Sequence, residues 1–202
     1  MEERIRSILK MYPKTFSEEL DIDLKSGSEQ EIFKWFLASI LFGKRISMNI
    51  AQSTYQGFIN AHLSTPQAII EAGWDKLVEI LDQGGYVRYD FSTADKLLDI
   101  MKMLNENYSG RITNIHENAA DAKDLEVRLQ KFKGIGPITC NIFLRELKGI
   151  WNKANPDLSP LVKKMAHKFG IDEDRVRSDI KLEAALVRLK SLKNLDNKKT
   201  LI

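Results

Sequence analysis

The chain is poor in the residues that build covalent or metal frameworks. It holds a single cysteine, Cys140, in 202 residues. That excludes a disulfide framework and a cysteine-bound metal or iron–sulfur cluster. The three histidines, His62, His116 and His167, are scattered too widely for zinc-ligand spacing. Five prolines and eleven glycines are too few for a disordered chain. No apolar run approaches the roughly 18 residues that mark a membrane span. Met1-Glu2-Glu3-Arg4 does not read as a signal peptide. Alternating strand patterns, internal repeats and low-complexity segments are also missing. The expectation is a cytoplasmic, all-α protein with no membrane association.

Helical periodicity is what remains, and it runs almost throughout. A short amphipathic helix is expected over Glu3–Met11, with a connector from Pro13 to Gly27. Ser28 and Glu31 have the spacing of a capping box. They open a helix so evenly apolar, through Ile32, Phe33, Phe36, Leu37, Ile40 and Leu41, that it reads as central and buried. Gly43 ends it. Further helices are expected over Ile46–Ala61, from Thr65-Pro66 to Ala72, over Trp74–Leu81 before Gly84-Gly85, and over Thr93–Asn105 behind a Ser92 cap. Asn107–Ala119 reads as loop. Helices over Ala122–Phe132, Ile138–Leu147, Leu161–Phe169 and Ile180–Leu192 complete about nine or ten. Length permits one core or two small lobes. The division expected is 28–147 for one lobe, and 1–27 with 148–202 for the other.

Net charge is only +3, but it is unevenly placed. Residues 1–130 carry 15 Lys/Arg against 20 Asp/Glu. Residues 131–170 carry eight Lys/Arg against only Glu146 and Asp157. A local basic field of this kind suits a polyanionic partner, and it is equally the pattern of a solvated lysine-rich surface.

The basic block opens with Lys133-Gly134-Ile135-Gly136-Pro137-Ile138-Thr139-Cys140-Asn141, a Gly-x-Gly turn between two apolar helices. Glycine admits positive φ and close approach of another molecule. A helix N-terminus offers unpaired N–H groups and a positive dipole end. Together they form a phosphate clamp, or else an ordinary helix connection. Neither a dinucleotide fingerprint nor a P-loop fits, because no strand precedes the turn and no Gly-Lys-Ser/Thr follows.

In this helical order the turn resembles the helix–hairpin–helix DNA glycosylase superfamily, endonuclease III-like, over roughly residues 1–190. The resemblance is carried by Ser39-Ile40-Leu41-Phe42-Gly43-Lys44, Ile46-Ser47-Met48-Asn49, Thr65-Pro66, Gly84-Gly85-Tyr86, Ala94-Asp95-Lys96 and the Lys133–Asn141 hairpin. It implies a two-lobed all-α fold and a base-excision repair enzyme acting on double-stranded DNA as a monomer associated with the nucleoid. Asp157, in Asn155-Pro156-Asp157-Leu158-Ser159-Pro160, matches the family's catalytic aspartate. A carboxylate there would orient water and stabilise the cationic sugar formed as a base leaves; its bland role is to cap the helix after Pro156. Members that also cut the backbone carry a lysine where this chain has Ile138, so the resemblance implies a monofunctional enzyme. The four-cysteine cluster loop is absent, which implies a cluster-free member.

The DNA-binding residues so implied are Lys133, Gly134, Ile135, Gly136, Ile138 and Thr139, with Lys44, Arg45, Lys163 and Lys164, and charge from Lys131 and Lys153. Lys44 and Arg45 fall in the loop where the family fills the gap left by a flipped base. Candidate pocket aromatics are Trp35, Phe42, Tyr86, Tyr89 and Trp151; packing in the core is their ordinary role. They favour alkylated purines over oxidised or mismatched bases. The only cofactor implied is a sodium or potassium ion on the hairpin carbonyls of Phe132 and Gly134. Competing readings are a non-catalytic DNA-binding protein on the same scaffold and a helical protein–protein adaptor.

Overall fold

The computed structural model describes residues 1–190, whose regular structure is helical, with no strand among them. Twelve α-helices are formed among them: α1 (Glu2–Met11), α2 (Phe16–Glu19), α3 (Glu29–Phe42), α4 (Met48–Asn60), α5 (Pro66–Gln83), α6 (Asp90–Tyr108), α7 (Thr113–Asn118), α8 (Ala122–Gln130), α9 (Pro137–Arg145), α10 (Pro160–Phe169), α11 (Glu173–Arg177) and α12 (Ile180–Leu189). The part of the expected last helix at residues 191–192 lies outside the described residues. No described helix is long and apolar enough to cross a membrane.

Packing divides the chain into two compact units, Met1–Asp21 with Asp157–Ile202 and Ile22–Pro156. The sequence had suggested breaks at 27/28 and 147/148. In the first unit, α1 packs with α10 and α12 around Ile5, Ile8, Val162, Phe169, Leu182 and Leu186. Arg4 Nη1 donates to the Phe169 carbonyl at 2.6 Å, satisfying one of the last carbonyls of α10. Arg188 is buried and donates to the Lys14 carbonyl at 2.9 Å, with its guanidinium 3.9 Å from the Phe16 ring centroid. That cation–π contact fastens α2 to the unit.

In the second unit α3 is the central rod. Ile32 through Leu41 are buried apart from Lys34. Phe36 meets Phe132 and Phe143 edge-on at 6.2 and 5.2 Å between centroids, a favoured aromatic geometry. Local chemistry sets most of the ends. Ser28, Ser47 and Thr65 each accept the backbone N–H three residues on. Gly73, at φ 74° and ψ 173°, breaks α5 into two helical segments, as expected from the sequence.

Several expectations fail here. Ser28 caps α3, but Glu31 does not complete a capping box: its carboxylate accepts from Asp23 N at 2.9 Å and pairs with Lys34. The true capping box is Thr15 with Glu18, inside the stretch read as a connector, and it opens α2. Ser92 is not a cap. Helix α6 begins earlier, behind Tyr89, and Ser92 Oγ donates to the Tyr89 carbonyl at 3.2 Å. The stretch read as loop contains α7. Its start is held by Glu29 of α3, which accepts from Ile112 N at 2.7 Å and Thr113 N at 3.1 Å. A cap delivered from 83 residues away leaves no local signature.

Candidate functional site

The turn joining α8 to α9 is built from the two glycines. Gly134 adopts φ 93°, open to glycine and strained for other residues. Ile135 turns inward and is buried; its N–H donates to the Phe132 carbonyl at 3.0 Å. The Phe132 carbonyl proposed as an ion ligand is therefore already an acceptor within the turn. Gly136 is the N-cap of α9 and contributes no side-chain cap. A Cβ placed on it would meet nothing within 4 Å. Pro137 has no N–H, so the first-turn amides are those of Ile138 and Thr139. Ile138 is 70% exposed. An open, uncapped helix N-terminus is a positive pole.

Two neighbours close in on this turn. A Cβ on Gly43 would lie 2.1 Å from Thr139 Oγ1, so the end of α3 touches the first turn of α9 where only glycine fits. A Cβ on Gly134 would lie 2.8 Å from Lys96 Cδ, so the Lys96 side chain of α6 lies over the turn. Lys44, next to Gly43, is half-buried. Burial, and then the Lys96 amine, lowers the Lys44 pKa to about 8. Lys133 is exposed, but its ammonium is held by Asp99 at 2.9 Å. The structure thus brings Lys44, Lys133, Gly134, Ile135, Gly136, Ile138 and Thr139 to one turn. Lys96 entered the sequence reading only within Ala94-Asp95-Lys96, with no site role, and Asp99 not at all. They lie on one face of α6, and nothing in their local pattern sets them apart from any solvated helical face.

Other implied residues take different roles. Trp35 is fully buried, and its Nε1 donates to the Phe143 carbonyl at 3.0 Å. The Tyr86 hydroxyl is buried and donates to the Leu41 carbonyl, and burial pushes its pKa up. Trp151 is buried, stacked on His116 at 4.7 Å and edge-on to Phe143. These three are core residues, correcting their assignment to a base pocket: their polar atoms or faces are already engaged inside the protein. Phe42 and Tyr89 are half-buried. Lys153 is also corrected. Its Nζ donates to the carbonyls of His116 and Ala119 at 2.8 and 2.6 Å, closing the C-terminus of α7. Arg45 and Lys131 are exposed.

Matches to known proteins would stand beside this geometry, but family models, curated proteins and solved structures give none for this chain.

In the other unit, Asp157 has a side chain 87% exposed and accepts from Arg177 Nη2 at 3.1 Å. It does not cap α10: Ser159 does, accepting from Val162 N at 3.3 Å. The capping role is thereby corrected. Lys163 and Lys164 are exposed on α10, Lys163 at 4.0 Å from Glu173. Among the described residues no group of His, Cys, Asp or Glu could hold a metal ion.

Proposed function

We propose that the chain is a DNA-repair glycosylase that hydrolyses the N-glycosidic bond of a damaged base. One observation carries the reading: the turn before α9 leaves an uncapped helix N-terminus, with open space at Gly136 and lysines around it. In this reading α8, the turn and α9 are a helix–hairpin–helix. The amides of Ile138 and Thr139 take a backbone phosphate, and Lys131, Arg45, Lys163 and Lys164 add phosphate charge. Asp157 orients the attacking water and stabilises the sugar cation. Position 138 supplies no amine for a backbone cut. The lesion is unassigned, since three of the five aromatics that favoured alkylated purines are core residues.

The test is base release from duplexes bearing one alkylated purine, 8-oxoguanine, uracil or a thymine opposite guanine, with wild type and Asp157→Asn compared. Expected is release by wild type, a loss of about 100-fold or more in the variant, and retained binding. Salt-sensitive binding with no release from any duplex moves the reading to a non-catalytic DNA-binding protein. No binding at low salt removes both.

A further inference from the structure

Seven large hydrophobic residues are exposed among the described residues, and three of them, Trp74, Val87 and Phe91, lie on α5, on α6 and in the turn between them. Gly73 breaks α5, so Trp74 opens its second segment. The rings of Trp74 and Phe91 lie 5.2 Å apart between centroids, tilted by 38°. Trp74 Nε1 donates to Asp95 Oδ1 at 2.9 Å, which orients the indole and satisfies its only donor. Trp74 is still 38% exposed and Phe91 58%. The platform has ring faces left to offer and no hydrogen bond to give. Its surroundings are acidic: residues 71–95 carry six Asp/Glu against two Lys/Arg. Asp75 and Asp90 are chain neighbours of the two rings, and Asp95 holds one of them. Among the described residues none of these three acids forms an ion pair with Lys or Arg. Lys76 is taken by Glu79 at 2.8 Å and Arg88 is exposed. One turn beyond Asp95, Asp99 holds Lys133 at 2.9 Å.

We propose that the Trp74–Phe91 platform docks a cationic side chain, Lys or Arg, presented on a basic segment of a partner protein. A cation over an aromatic face is attracted by the ring quadrupole. Carboxylates at the rim attract the flanking charges of such a segment. The same carboxylates oppose a nucleic-acid phosphate, so this face differs in kind from the basic turn before α9. Apolar docking alone is insufficient. A fully buried aromatic contributes about 150–250 Å², and two part-exposed rings fall short of the about 800 Å² per partner of a standard interface. Charge supplies most of the attraction, and the rings choose the spot. Such docking requires no glycosylase activity.

The indole N–H resonance of Trp74 reports on the platform in the full chain, because Trp35 and Trp151 are buried; Trp74→Phe assigns it. The probes are synthetic peptides of equal length made of arginine, glutamate or serine, and an undamaged DNA duplex. Expected is a saturable shift of the Trp74 signal with the arginine peptide alone, weakening as salt is added. Phe91→Ala should weaken that binding about fivefold. Asp95→Asn keeps an acceptor for the indole and removes the charge, and it should weaken binding several-fold, as should Asp75→Asn. All three positions are exposed, so these variants should keep the urea midpoint of the wild type. An arginine peptide that leaves the Trp74 signal in place overturns the proposal. So does binding unaffected by Phe91→Ala, which would reduce the acids to a general counter-charge. A shift caused equally by the serine peptide would show plain apolar docking, and one caused by the duplex would give this face to DNA; either overturns it.

Discussion

Two turns of the larger unit share a chemistry and differ in use. The α5–α6 connection passes through Gly84-Gly85-Tyr86, and the α8–α9 connection through Gly134-Ile135-Gly136. Each has a glycine at φ 93°, Gly85 and Gly134. The first is sealed: a Cβ on Gly84 would lie 2.7 Å from the Thr54 Cα, and the Tyr86 hydroxyl is bonded to Leu41 in the core. The second faces outward, with free space at Gly136 and Ile138 in solvent. Glycines fix the turn in both cases. What surrounds the turn decides whether it closes a core or presents a surface.

Substitutions break that comparison most sharply at the sealed turn. Gly84→Ala forces a methyl group against the α4 backbone and is expected to cost about 3 kcal/mol. Urea unfolding followed by tryptophan emission suits this, because Trp35, Trp74 and Trp151 all belong to the unit Ile22–Pro156. A loss below about 0.5 kcal/mol would mean that α4 yields there. Tyr86→Phe removes one of the donors to the Leu41 carbonyl, which keeps the Lys44 N–H at 3.4 Å, at about 1.5 kcal/mol; an unchanged midpoint would show that water replaces the hydroxyl. Gly134→Ala requires a strained φ and displaces Lys96, at about 1 kcal/mol. Should it prove neutral, the Gly134 conformation is not demanded by the fold. Gly136→Ala is the smallest, a few tenths of a kcal/mol, since φ −91° suits any residue and the space is empty. Its effect belongs in binding: a methyl before the α9 amides should weaken salt-dependent duplex binding several-fold, and an unchanged affinity would remove the hairpin from the interface.

Much of the helical frame was legible because it is encoded locally. Ser28, Thr65-Pro66 and Gly73 act through their own backbone and one or two neighbours. What escaped is set at long range. The start of α7 depends on Glu29, and the start of α6 on the Tyr89 turn rather than on Ser92. In the candidate site the glycines and Ile138 were legible, while the approach of Lys96 to Gly134 joins residues far apart in the chain. The aromatics misled because sequence counts a ring but does not say which way it points. Lys153 misled for a like reason: a charge in a basic block reads as a surface charge, yet it is spent on the carbonyls of α7.

Cys140 sits one turn into α9, buried, with its thiol pushed up to about 12 by desolvation. A thiol held protonated and out of reach reacts slowly with alkylating reagents, so the folded protein is effectively blind to them. That silence is useful. A cysteine introduced on the exposed side of the turn would take a fluorophore alone, with no need to remove the native thiol. The native thiol, in turn, becomes an internal clock: its alkylation rate under native conditions counts how often the packing around Cys140 opens.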